Sequence, residues 1–134
     1  MKINEICTDI IEDTNFALVC AVIDLNSGLL VGIAHKVSHC SQSNLDTAAV
    51  AAVEMFRGRT VMAIEQMISR LRGEEEYLMI EEIQMTTKNT YHFMAVIPEK
   101  PNNMVVLITT KTISLGMGWS TLRIALPKLA PFCS

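Results

Sequence analysis

The stretch that most limits what this chain can become runs from Asn44 to Leu71, about 28 residues with no proline and one glycine, Gly58. A run of that length predicts one long α-helix, with shorter, strand-like segments before and after it. At 100° per residue, Leu45, Ala49, Val53, Phe56, Ile64, Met67 and Leu71 share roughly a third of the circumference, the width of a stripe that covers a sheet. A second cluster, Ala48, Ala51, Ala52, Met55 and Met62, falls elsewhere on the wheel with Arg59 and Gln66 beside it. Thr47, Glu54 and Glu65 mark the polar strip between the two. A helix that only covers a sheet needs one stripe. The second is expected to meet another protein, because alanine lets backbones approach and methionine packs adaptably. The competing expectation is that a loop or helix of the same chain covers it. Gly58, between Arg57 and Arg59, costs about 1 kcal/mol relative to alanine inside a helix and marks a bend or a close crossing.

The flanking segments read by period. Ile3, Ile6, Cys7, Ile10 and Ile11 give a short amphipathic helix over residues 3–13, with Glu5, Asp9, Glu12 and Asp13 outward. Phe16–Asp24 is a near-continuous apolar run, as in a strand buried on both faces, and Asn26-Ser27-Gly28 turns it into a second strand, Leu29–Ala34. Gly32 in that strand predicts a bulge or a close approach of another backbone. Ser43 or Asn44 is expected to cap the long helix, and Gly73 to stop it behind Arg70 and Arg72. After the acidic turn 74–76 come a third strand, Tyr77–Thr87, whose charges suit a sheet edge, and a fourth, Thr90–Ile97. Pro98–Asn103 reads as a loop and Met104–Thr110 as the fifth strand. From Ser114, Leu115, Trp119, Leu122, Leu126 and Leu129 mark a last helix, expected to end or kink near Pro127. The element order is that of a single α+β domain over residues 1–134.

Composition narrows the function. Half of the residues are hydrophobic and 19% charged, with mean hydropathy +0.32, which points to surface buried by association. A formal charge of −3, with no basic cluster, argues against nucleic acid. The acidic start is no signal peptide, and the apolar run Phe16–Ile23 is too short to insert across a bilayer, so a cytoplasmic protein is expected. Cys7, Cys20, Cys40 and Cys133 show no C-x-x-C spacing; the first two sit where reduced, buried thiols belong, and Cys133, near the end, is expected at the surface.

No catalytic constellation emerges. Asp24-Leu25-Asn26-Ser27-Gly28 starts like a calcium loop, but His35 stands where a bidentate glutamate is required. His35, His39 and Cys40 could supply metal ligands from one loop, yet no spacing demands a fourth, and no third residue orients a Cys40 nucleophile. Gly116-Met117-Gly118 lacks the rest of a dinucleotide fingerprint and reads as close packing of a helix start on the sheet. Glu81 and Glu82 read as a solvated face and His92 as a sheet histidine. No enzyme activity, metal or cofactor is expected.

The apolar–turn–apolar segment Ala21–Val31, the alanine-rich helix from Leu45, the strand Met104–Thr109 and the Leu115-Gly116 pair opening the last helix together resemble the roadblock domain of the dynein light-chain family. The resemblance covers about residues 3–130, and its motifs are an element order with a few fixed small residues. Trp119, where many relatives carry arginine, and Pro127 depart from the pattern. What it implies is a profilin-like, five-stranded antiparallel sheet with one long helix on one face and two terminal helices on the other. It also implies a homodimer that lays the long helices side by side and joins the third strands into one ten-stranded sheet. The expected dimer interface is then Ala48, Ala51, Ala52, Met55, Arg59, Met62 and Gln66 from the helix, with Tyr77, Met79, Glu81 and Ile83 from the third strand. Such dimers act as regulatory scaffolds for small Ras-like GTPases or in motor and signalling assemblies, with Arg57, Arg59 and Gln66 the expected partner contacts here. The alternative is a domain of related architecture that senses a small molecule or metal near His35, His39 and Cys40.

Overall fold

The computed structural model describes residues 2–38, 40–73 and 80–134. Its elements are α1 (Lys2–Asp13), β1 (Ala17–Asp24), β2 (Leu30–His35), α2 (Gln42–Arg57), α3 (Arg59–Leu71), β3 (Glu82–Thr86), β4 (Thr90–Ile97), β5 (Lys100–Thr110) and α4 (Leu115–Leu129). The strands form one antiparallel sheet in the order β2-β1-β5-β4-β3, which puts β3 at an edge as its charges suggested.

Period-two alternation sorts side chains between two layers. Cys20, Val22, Phe93, Ala95, Val105 and Leu107 face α1 and α4 and share a core with Ile3, Cys7, Ile11, Leu122 and Leu129. Ile23, Met94, Met104 and Val106 point the other way, against Ala49, Ala52 and Phe56 of α2. The two terminal helices therefore cover one face and α2 the other, as expected.

Local chemistry explains the ends of the elements. In the first hairpin the Asp24 carboxylate accepts the Asn26 amide at 2.8 Å, the Gly28 amide returns to the Asp24 carbonyl, and Gly28 takes φ +74°. Gly32 lies so close to Ile3 and Asn4 of α1 that a β-carbon would overlap their side chains, and the β1–β2 register shifts beside it, between Val22 and Ile23, the bulge that is one of the two expectations there. The N-cap of α2 is Ser41, whose Oγ accepts the Asn44 amide at 3.1 Å, so the helix starts ahead of the expected Ser43 or Asn44.

Four expectations need correction. The run 44–71 is two helices, because Gly58 adopts ψ 155°, its N–H closing α2 on the Glu54 carbonyl while its own carbonyl starts α3 on the Met62 amide. A β-carbon at Gly58 would meet the Glu54 carbonyl, so the glycine is a steric requirement of the break. The segment Pro98–Asn103 is mostly strand: β5 begins at Lys100, paired with Ile97, leaving a two-residue turn. Pro127 does not end α4, which runs to Leu129 and passes into a 3₁₀ turn, Ala130–Phe132. Only one helical amide is lost at the proline, and burial of Leu126, Leu129, Ala130 and Cys133 holds the last turn down; Cys133 is thus inside, not at the surface.

Ser114 caps α4 through the Met117 amide at 3.1 Å, and the helix settles on the sheet where Gly118 meets the ring of Phe93. Phe93 is fully buried and packs edge-to-face with Trp119 at 5.2 Å and with Tyr91 at 6.1 Å, so its ring has nowhere to move. Gly118→Ala is therefore expected to destabilise the fold by about 1–3 kcal/mol, measured by denaturant unfolding, whereas Gly116→Ala, with open space around it, should be nearly neutral.

Candidate interaction surface

The α1/α4 side of the sheet is filled, whereas the α2 side is not. A groove of about 310 Å³ runs along one flank of α2, between Asn44, Ala48, Ala51 and Met55 above and Ala21, Leu30, Ile33, Met85, Met94 and Ile108 below. The strand register explains its floor. Ile33, Ala21, Val106, Met94 and Ile83 pair in succession, one apolar row from the β2 edge to the β3 edge. α2 is one helix wide: the middle of that row, Ala21, Val106 and Met94, is buried, while Ile33 and Ile83 towards the two edges are only half-buried. Cys40 and His92 are among the few polar groups that reach the groove.

The predicted interface residues separate. Ala48 and Ala51 are exposed on the groove flank, and Met55, Met62 and Gln66 are half-buried. Ala52 is only 4% exposed and packs in the core under α2, so it does not belong to an open flank. Arg59 is exposed at the start of α3. Ile83 packs on the α2 face of β3, and Glu81 precedes that strand, its carbonyl accepting the Val96 amide at 2.9 Å. Tyr77 and Met79 lie outside the described residues, as does the acidic run 74–76.

Arg57 is not a free contact group. Its guanidinium donates to the Pro101 carbonyl at 2.9 Å and to Asn26 Oδ1 at 3.2 Å, with a longer bond to Asn102 Oδ1, tying the end of α2 to the first hairpin turn and to the start of β5. Beside it, Arg57 and Glu81 line a second cleft of about 420 Å³ with Leu25, Phe56, Val96 and Pro98.

On α3 the expected core stripe faces outward: Ile64, Met67 and Leu71 are 48%, 53% and 80% exposed, while Glu65 and Ser69 are buried. The break at Gly58 restarts the helix in a new direction, so apolar positions in phase with Phe56 no longer look at the sheet. Sequence periodicity could not reveal this, since it fixes a stripe and not what the stripe faces.

Missed by sequence reading was the arrangement under α4. Arg123 makes a bidentate pair with Glu82 of β3 at 2.9–3.2 Å and stacks over Trp119 at 5.0 Å. With the two side chains 55% and 37% exposed, the pair contributes at most about 1 kcal/mol and serves to position the edge strand. A signal existed only in hindsight, in Arg123 standing four residues after Trp119 on α4.

For metal chemistry the arrangement offers little. The His35 ring accepts the Val37 amide at 3.3 Å, His39 lies outside the described residues, and among the described residues no group of three potential ligands converges. Among the described residues no helix is long and apolar enough to cross a membrane.

A mixed sheet-and-helix layer of this order, with a lone helix over one face and two terminal helices over the other, is the roadblock-type fold. Among solved structures, MglB of Myxococcus xanthus superposes with a TM-score of 0.71 at 20% identity, over 98% of this chain and 94% of that one. A Roadblock/LC7 domain from Streptomyces avermitilis gives 0.70 at 7% identity over 98% of each chain. The gliding protein MglB of Thermus thermophilus gives 0.68 at 19% identity, over 95% of this chain and 84% of its own. At such low identities the superpositions establish the fold alone. No family model matches the chain and no curated protein matches it.

His92, at the groove, donates to or accepts from Thr90 Oγ1 at 3.0 Å, and burial holds its imidazole below the usual range. The folded protein thus binds this proton less readily than the unfolded chain. Stability is expected to fall as pH drops through the ordinary imidazole range, from about 7 to about 5.5. The denaturation midpoint of His92→Gln, followed over that window, should lose that part of the fall.

Proposed function

We propose that this chain is a non-catalytic regulatory scaffold that works as a homodimer in the cytoplasm and binds a small Ras-like GTPase or joins a motor or signalling assembly. The observation that carries the reading is the open apolar groove beside α2, whose floor continues to the β3 edge. A second copy, related by a two-fold axis, supplies an occupant of the right shape. Its α2 lies along Ala48, Ala51 and Met55, and its β3 pairs with β3, so two five-stranded sheets become one and the two β3 edges are paired, with β2 left as the edge at each end. Met62 and Gln66, half-buried on α3 beyond the break at Gly58, are further candidates for that contact.

Dimerisation leaves Arg59 near the seam of the paired helices, where it and Gln66 are our candidates for polar contact with the GTPase; Arg57 acts behind them, by holding the turns in place. The roadblock-type fold shared with the MglB structures supports a regulator over an enzyme.

Light scattering of the purified chain is expected to give twice the mass of one chain. Ala51→Glu puts a carboxylate on the exposed flank without touching the core, and should raise the dimer dissociation constant by about a hundredfold or more while leaving the unfolding transition intact. Ala52→Glu should instead unfold the chain, because that position is core. A monomer at high concentration would overturn the dimer. Copurification with GTPases of the source organism, in both nucleotide states and with Arg59→Ala, tests the partner; absence of association in either state counts against it.

A further inference from the structure

Past the C-terminal end of α2, the second cleft opens between the first hairpin turn, the turn from β4 to β5 and the start of β3. The groove assigned above to a second copy lies elsewhere, along the flank of the helix. The most buried lining of the cleft is apolar: Leu25 and Phe56 are 3% and 2% exposed, with half-buried Val96 as a third such side chain. About 420 Å³ is open to a ligand, which is room for a small molecule.

Two opposite charges, Arg57 and Glu81, line this space and form no ion pair with each other. Arg57 is held in place from one side. Its Nη1 donates to Asn26 Oδ1 at 3.2 Å and to Asn102 Oδ1 at 3.4 Å, and its Nη2 donates to the Pro101 carbonyl at 2.9 Å. Those bonds orient the guanidinium without exhausting it, because Nε–H and one Nη2–H have no acceptor among the described residues. Nε and Nη2 together make the side edge that a guanidinium offers to a carboxylate. Glu81 has its carbonyl fixed by the Val96 amide at 2.9 Å, while its exposed carboxylate has neither a cation nor a donor among the described residues.

We propose that this cleft binds a free α-amino acid with an apolar side chain. The carboxylate of the ligand takes the open edge of Arg57, its ammonium pairs with Glu81, and its side chain lies over Leu25, Phe56 and Val96. The inference does not rest on the dimer or on a GTPase.

The charges set the selectivity. A fatty acid of the same size would bring its carboxylate beside Glu81 with nothing to offset the repulsion, and an alkylamine would bring a cation beside Arg57. Only a zwitterion satisfies both groups. A charged side chain on the ligand would find no partner among Leu25, Phe56 and Val96, so acidic and basic amino acids are excluded by desolvation.

The test titrates the purified full chain with L-leucine and L-phenylalanine and follows its backbone amide resonances by NMR. Saturable shifts are expected at Leu25, Val96 and Asn102 with at least one of the two. Isocaproate and isopentylamine, which are leucine without its amine and without its carboxylate, should bind about tenfold or more weakly, and L-glutamate and L-lysine should leave the cleft amides unmoved. Glu81→Gln removes a charge that holds no partner in the fold; it should keep the unfolding midpoint and bring leucine down to the level of isocaproate. Arg57→Lys keeps the charge but loses the fork, and should weaken leucine by about tenfold or more; should that variant fail to fold, Glu81→Gln and the two half-ligands decide. No saturable shift with either amino acid, shifts confined to the α2 groove, isocaproate binding as tightly as leucine, or leucine binding unchanged in Glu81→Gln would each overturn the proposal.

Discussion

The alternation of side chains along β1 and β5 is the constraint from which the architecture follows. These are the central strands, and both of their faces are apolar: Cys20, Val22, Val105 and Leu107 on one side, Ile23, Met104 and Val106 on the other. A sheet with two oily faces needs a layer on each. With α1 and α4 adjacent on one side and α2 crossing over on the other, the chain meets that need with the fewest helices that can do it. The register makes the assignment rigid, because a shift of one residue would exchange the two faces along a whole strand.

The two layers are not equally good. On the α1/α4 side two helices, an aromatic cluster around Phe93 and two glycines, Gly32 against the Ile3 and Asn4 side chains and Gly118 against the Phe93 ring, leave the core filled. On the α2 side one helix covers a row five strands wide, and its exposed flank is alanine. The same sequence choice that lets α2 approach something closely leaves a groove when nothing is there. An apolar surface of this kind is costly to expose, which is the physical reason for the second copy in the proposed function.

Much of this was legible in the sequence. Strand content, the hairpin at Gly28, the edge character of β3 and the helix-to-sheet contact near Gly118 follow from period, turn residues and charge, all of which act locally. Errors arose where a local pattern met a non-local fact. Pro127 looked like a terminus, but buried Leu129 and Ala130 outweigh one missing amide. Ile64, Met67 and Leu71 looked like core because they are in phase with Phe56, and the phase ends at Gly58. Arg57 looked like a contact residue because it is a cation beside an apolar flank; its acceptors, Pro101 and Asn26, come from distant parts of the chain that no spacing announces. Tertiary partners of long side chains are the part that period-based reading does not reach.

The edge strand shows how the uneven layers relate to the proposed role. β3 has five residues and a single neighbour, β4. Glu82 turns toward α4 and is held there by Arg123, itself stacked on Trp119, while Ile83 and Met85 turn toward the groove. Among the described residues its polar side-chain anchor comes from the filled side of the sheet, while Ile83 and Met85 pack against the α2-side core. Had the strand been pinned by α2, docking a second helix in the groove would compete with the contacts that hold the edge in place. Fastening it from behind lets the strand stay ordered and its outer backbone groups stay available, which is the condition for joining two sheets without unfolding either.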